Sequence, residues 1–320
     1  MSATTLLLPF ALPPAEHAKD LLAALDAPAL ACLLARAQPG RRQDSEPFAA
    51  ALPHEALLAN ASADNSPTVA HALMQNLGLT PPDGHWFVLQ PVHFHVARDH
   101  LVLTDLRQLD LDDTQSRDLF NAAQPLFEEL GHAVRFGNAR YWFLQAAAWR
   151  DLRTCTPDAA AGHNVDIWLP RGTDERGWRR LHNEVQMLWH THPLNEQREA
   201  RGQRRVNALW LWGGSSTQDA WPQRYAQILA GAPVVTTDTD TRFDDAPVAS
   251  ALAGDWGSWL AAMQGIETRH AAPLLDALRS GASTRVILQL TDAQRVREWQ
   301  VSRAGVRKFW RTPSLARLAG

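Results

Sequence analysis

The residues of this chain that could do chemistry fall into a few groups. His93 and His95 sit two apart in a β-rich run, which puts both imidazoles on one face of a strand, a geometry that metal sites use. His190 and His192 repeat the spacing at the end of a helical stretch. Neither pair has an adjacent Asp, Glu or Cys to complete a ligand set, so half-buried polar histidine is the plainer reading of both. Asp238, Asp240, Asp244 and Asp245 cluster in "TTDTDTRFDDAP". Carboxylates at strand ends are where hard-metal sites arise in α/β enzymes, and the competing reading is a solvated, Asp-rich turn. Gly213 and Gly214 stand directly behind the apolar run "NALWLW". Their N–H groups could cradle a phosphate, or the pair could mark a strand end abutting another backbone. No GK[ST] follows and the pattern is not GxGxxG. Ser66 and Thr156 have no base beside them in sequence, so spacing alone supports no nucleophile.

The elements that must position these groups alternate between β and α. "TTLLLPF" reads as a short buried strand, and "AEHAKDLLAAL" and "APALACLLARA" have apolar residues at helical spacing. Residues 39–67 are turn-rich and read as irregular, and "TVAHALMQNLGL" reads as a helix. From Trp86 two β-rich runs are separated by "ARDH", a hairpin signal. A helix with Asp112 or Asp113 as its cap follows, then a β-rich run broken at Gly137–Asn138. Residues 151–177 read as an irregular crossover, "WRRLHNEVQMLWHTH" as a helix, and Val206–Trp212 as a central strand buried on both faces. "APVVTTDTD" is a further strand, 254–281 one or two helices, and "TRVILQLTD" with "REWQVSRAGVRKFW" a closing β pair. The fold class is α/β.

At 320 residues the chain can bury roughly 75% of its unfolded surface, enough for one large core or two. A net charge of −3 gives no footprint for nucleic acid, so small molecules or proteins are the partners favoured. Cys32 and Cys155 form neither CxxC nor a zinc spacing, which fits a reducing compartment. The N-terminus lacks the features of a signal peptide, and no run approaches the ~20 apolar residues of a membrane span. A cytoplasmic protein without membrane contact is expected.

The segment "HPLNEQREARGQRRVNALWLWGG" resembles "HPVNxxRxxGxxPANxIWLWGxG" of archaeal-type cofactor-independent phosphoglycerate mutases, in the alkaline-phosphatase superfamily. His192, Pro193, Asn195, Arg198, Gly202, Asn207, Trp210, Leu211, Trp212 and Gly213 match, with one extra residue between Arg198 and Gly202. "TCTPDAAAGHNVDIWLPRGTDERGW" is similar to their crossover, and 85–147 to their inserted domain. The resemblance implies a reduced alkaline-phosphatase-like sheet core, residues 1–84 and 178–320, with an inserted β-β-α-β subdomain and crossover at 85–177. It also implies departures. "LLLPFAL" places Pro9 and Phe10 where the mutases open with DGxxD, nothing in 255–320 contains DHxT, and Gln90 and Trp142 stand at their substrate arginines. The hallmarks "NEVQMLWHTHPLNEQRE", "NALWLWGG" and "KFWR" resemble those of a divergent bacterial branch, the RpfE-type regulatory proteins.

These readings lead to a cytoplasmic, mutase-like regulatory protein without mutase activity, with no metal and no cofactor. Its candidate ligand site is Asn195, Arg198, Asn207, Gly213 and Gly214, where Arg198 could hold a small anionic ligand bidentately and the amides orient it. A hydrogen-bond network tying a hinge is the competing role for the same residues. An active metal-dependent mutase would need a replacement metal set from Asp238, Asp240, His190 and His192. A third reading is a protein-interaction module built on Trp256, Trp259, Trp299 and Trp310.

Overall fold

A computed structural model describes residues 3–61, 66–231 and 240–319. In chain order the strands are β1 (Ala3–Leu8), β2 (Gln38–Asp44), β3 (Trp86–Val92), β4 (Phe94–Ala97), β5 (His100–Leu103), β6 (Val134–Phe136), β7 (Trp142–Gln145), β8 (Ala208–Ser215), β9 (Asp240–Phe243), β10 (Arg285–Thr291) and β11 (Arg295–Ser302). With the helices between them they make an α/β chain of two compact units, residues 1–47 with 235–320, and residues 48–234.

The first unit is built on a mixed sheet of order β2-β11-β10-β1-β9. β1 runs parallel to both β10 and β9, and β10 and β11 form the antiparallel pair expected from their sequence. Leu6 and Leu8 point into one core with Val286, Leu288 and Leu290 of β10. That core is closed by Leu30, Leu33 and Leu34 of helix Pro28–Arg36, Trp259 and Met263 of helix Trp256–Ile266, and Leu274 and Leu278 of helix Ala272–Ser280. Helix Pro28–Arg36 begins at Ala27, which has no side chain to cap it. Glu267 supplies the acceptors from a distance, taking the Ala29 N–H at 2.6 Å and the Leu30 N–H at 2.9 Å. Glu267 sits in a π-helical turn, Glu267–Ala271, inserted between two α-helices.

Part of 39–67 is regular, against the sequence reading. β2 pairs antiparallel with β11, and residues Pro53–Ala59 form a helix. β2 lies at the sheet edge, where Pro39 and the exposed Arg41 and Arg42 are tolerated and the hydrophobic signal of a strand is lost. The strand read in "APVVTTDTD" lies outside the described residues except Asp240, the first residue of β9.

The second unit carries a four-stranded antiparallel sheet of order β6-β7-β3-β8 and the separate hairpin β4–β5. β8 is therefore an edge strand, not the central one expected, yet all of Ala208–Trp212 is buried. Both faces are covered, and the side chains alternate between them. Leu209 and Leu211 join the core made with helices Asp113–Glu129 and Glu175–His190, through Leu119, Phe127, Leu181 and Trp189. Trp210 and Trp212 point the other way, where Trp210 meets Phe94 edge-on and Trp212 meets Tyr225. The sheet takes β8 from 208–215 and is packed by helix Glu175–His190, and residues 48–84 and 178–234 belong to one compact unit with 85–177. The sequence reading had placed both segments with the core.

Candidate functional site

Asn195, Arg198 and Asn207 do come together in the second unit, between helix Pro193–Ala200 and the start of β8. Asn195 is fully buried; its Nδ2 donates to the carbonyls of Trp189 and Val206, each at 2.8 Å, and its Oδ1 accepts from the Val206 N–H at 2.8 Å. Arg198 is also fully buried. Its Nε donates to the Arg204 carbonyl at 2.8 Å and one terminal nitrogen to the Asp110 carbonyl at 3.1 Å and to Gln115 Oε1. The other terminal nitrogen donates to the Leu109 carbonyl. Burial lowers its pKa from the ordinary arginine value, against the carboxylates of Asp110 and Asp112. The guanidinium thus gathers the 109–115 and 198–204 segments around itself, which is the geometry of a tie.

Gly213 and Gly214 sit elsewhere on the strand, at an irregularity opposite Trp86–Val88 in the β3–β8 ladder. Gly213 has φ of 67°, and a Cβ there would meet Val69 Cγ1 at 2.8 Å; one on Gly214 would meet Phe87 Cε1 at 2.6 Å. The Gly213 N–H donates to Ser66 Oγ at 3.2 Å, and its carbonyl accepts from Val69. The pair serves a bulge and the close approach of residues 66–69, and Ser66 is its acceptor.

His93, His95 and His192 have local partners, and Asp238 lies outside the described residues. His93 donates from Nδ1 to the Arg205 carbonyl at 2.9 Å, and His95 bonds Thr104 Oγ1 at 3.2 Å. His192 caps its helix by accepting from the Leu194 N–H at 3.2 Å. Among the described residues no three His, Cys, Asp or Glu are grouped to hold a metal ion. Of the four tryptophans read as an interaction face, Trp259 and Trp299 are buried, Trp256 packs against the first unit's core, and Trp310 is exposed.

Two polar clusters are assembled from residues that stand apart in the chain, so their partners carry no sequence signature. In the first unit, Asp244 follows β9 and is mostly enclosed rather than solvated. Its Oδ2 accepts from Arg269 Nε at 3.0 Å and from His270 Nε2 at 3.0 Å. Burial pushes its carboxyl up, and the bonds from His270 and Arg269 outweigh that and hold it at about 2. In the second unit, Glu55 is buried and accepts from Tyr225 at 2.8 Å, Thr156 at 2.6 Å and the Leu52 N–H at 2.8 Å. Burial, with the Asp158 carboxylate, raises its pKa to about 7. Thr156, read as lacking a base, is one of its donors and caps the turn Pro157–Ala160.

The C-terminal end of β1 is where an α/β sheet of this kind offers a site. It holds Pro9 and Phe10, with Phe10 at φ 53° and its carbonyl accepting from the Trp259 indole at 2.8 Å. Neither side chain has a ligand atom, so these residues do not fit the metal pair that the resemblance places there. Gln90 and Trp142, which the resemblance sets at substrate arginines, are enclosed: Gln90 Oε1 accepts from the Trp212 indole at 2.7 Å, and Trp142 donates to Ser116 Oγ at 3.0 Å.

No protein-family model matches the chain. A 60-residue segment is 33% identical to the 2,3-bisphosphoglycerate-independent phosphoglycerate mutase of Methanosarcina mazei, covering 18% of this chain and 15% of that protein. Among solved structures, the chain is similar to the PH0037 protein from Pyrococcus horikoshii, with a TM-score of 0.50 over 93% of this chain and 87% of that one. The cofactor-independent phosphoglycerate mutase from Thermoplasma acidophilum aligns with a TM-score of 0.43 over 100% of this chain and 94% of that one. Both are 13% identical to it. At that identity the likeness to the Pyrococcus protein is one of fold.

Proposed function

We propose that this chain is a phosphoglycerate-mutase-like regulatory protein that does not carry out mutase chemistry. The observation that carries the reading is the Pro9–Phe10 end of β1, closed by the Trp259 indole on the Phe10 carbonyl. Two-metal phosphoryl transfer needs anionic ligands that fix both ions, and a pyrrolidine and a phenyl ring supply none. The enclosed Gln90 and Trp142 point the same way, since neither offers a cation to a phosphoryl group.

The local similarity to the Methanosarcina mazei mutase supports common ancestry with enzymes of that type, and the departures sit at the groups that would do the work. A small anionic ligand at Arg198 would have to displace carbonyl oxygens that already take its donors, which favours the tie. Free, buried Cys32 and Cys155 are in keeping with a cytoplasmic setting. Among the described residues no helix is long and apolar enough to cross a membrane.

The test is a mutase assay on the purified chain in excess Mn²⁺, with metal content measured on the same sample. We expect no turnover above a protein-free control. Turnover that tracks metal content would overturn the reading and assign the ligands to residues other than Pro9 and Phe10.

A further inference from the structure

Residues 303–320 contain Arg303, Arg307, Lys308, Arg311 and Arg317 and no Asp or Glu. This stretch carries +5 while the whole chain carries −3, so the rest of it carries −8. Within it Phe309 and Trp310 are 84% and 67% exposed, adjacent large apolar side chains standing in water. Their rings lie 5.3 Å apart at 82°.

This projection is held in place. The Lys308 N–H bonds the Gly305 carbonyl and the Arg311 N–H bonds the Lys308 carbonyl, each at 3.1 Å, so the aromatic pair is carried on a closed turn. On either side the chain is fastened to the C-terminal end of helix Pro28–Arg36. Arg36 donates to the Val306 carbonyl at 2.8 Å, Arg311 to the Ala35 carbonyl at 3.2 Å, and Arg317 to the carbonyls of Leu34 and Ala37 at 2.7 and 2.9 Å. The Leu34, Ala35 and Ala37 carbonyls stand at a helix C-terminal end, where cationic donors are well placed.

We propose that the Phe309–Trp310 projection, with the exposed or half-exposed Arg303, Arg307, Lys308 and Arg311 flanking it in the chain, is a docking surface for an anionic phospholipid bilayer. The shape decides between occupants. Two aromatic side chains offer about 150–250 Å² each, well short of the ~800 Å² per partner of a stable protein interface. Rings set at 82° cannot serve as successive stacking platforms for nucleic-acid bases, which need parallel faces along a groove. An exposed aromatic pair on a hydrogen-bonded turn, with an indole N–H and neighbouring cations, matches the headgroup–acyl boundary, where Trp is favoured and Lys or Arg meet anionic lipid. The contact is peripheral and reversible, since two rings and a few charges are far from a spanning anchor.

The experiment is sedimentation of the full chain with phosphatidylcholine–phosphatidylglycerol vesicles, with pure phosphatidylcholine vesicles as reference and added NaCl as a further axis. We expect binding to the anionic vesicles alone, weakening as salt rises. The Phe309→Ser/Trp310→Ser variant should lose it with an unchanged thermal midpoint, and Arg307→Gln/Lys308→Gln should bind about 30-fold more weakly, two surface cations having been removed. Failure of the wild type to sediment with anionic vesicles overturns the proposal. So does equal binding by the Ser variant, or binding of a single-stranded oligonucleotide through the aromatic pair in place of vesicles.

Discussion

Asn207 and Phe94 are paired through a side chain: Asn207 Oδ1 accepts the Phe94 N–H at 2.7 Å while its Nδ2 donates to the Phe94 carbonyl at 2.8 Å. The amide stands in for the peptide group of a neighbouring strand, where β3 has ended and β4 begins. Asn207→Asp keeps the acceptor and loses the donor, setting a carboxylate against the Phe94 carbonyl. The expected cost is about 2 kcal/mol, measured by urea unfolding. A midpoint equal to wild type would show that the pairing contributes nothing to the fold.

Arg198→Lys separates the tie from an anion receptor. A lysine ammonium cannot reach the Arg204, Asp110 and Leu109 carbonyls together, because the guanidinium serves them from three nitrogens. We expect a loss of about 3 kcal/mol in stability, read from the unfolding midpoint. Calorimetric titration of the wild type with 3-phosphoglycerate or phosphate should give no heat at this junction. Heat that vanishes in a normally folded lysine variant would establish a receptor instead.

Trp210 and Trp310 are expected to behave oppositely. Trp210 is buried and its indole donates to the Cys155 carbonyl at 2.9 Å, so Trp210→Ala should cost about 3–5 kcal/mol. Trp310→Ala removes an exposed ring and should leave the midpoint within about 0.5 kcal/mol of wild type. Similar losses in both would contradict the placement of one or the other.

What could be read from the sequence was whatever periodicity encodes. β1, the two helices that follow it, and the β10–β11 pair were legible because their apolar residues repeat at strand or helix spacing. "LWLW" was legible as a buried strand, and its edge position was not, since burial comes from layers on both faces and leaves no mark of strand order. β2 was missed because an edge strand with Pro39, Arg41 and Arg42 has no apolar face to show. Arg198, Asn195 and Asn207 were found through a local motif that also keeps them near one another in space. Glu55, Thr156 and Tyr225 were not found, because they converge from 101 and 170 positions away and only the folded chain brings them together.

Glu55 gives the pH dependence of the second unit. Burial and the Asp158 carboxylate raise its pKa from 4.5 to about 7, while its three hydrogen-bond donors work in the opposite direction. Below pH 4.5 both folded and unfolded chains hold the proton, and the group makes no difference. As pH rises from 4.5 towards 7 the unfolded chain releases the proton first, so the folded state binds more protons and stability falls. Above about 7 the whole penalty is present, about 3 kcal/mol for a shift of this size. Glu55→Gln is neutral throughout, and its altered hydrogen bonding is an offset that does not vary with pH. The difference in unfolding free energy between variant and wild type should therefore grow in favour of the variant across that window and level off above it. A difference that is flat with pH would mean that Glu55 is ionised in the folded protein, held so by Thr156, Tyr225 and the Leu52 N–H.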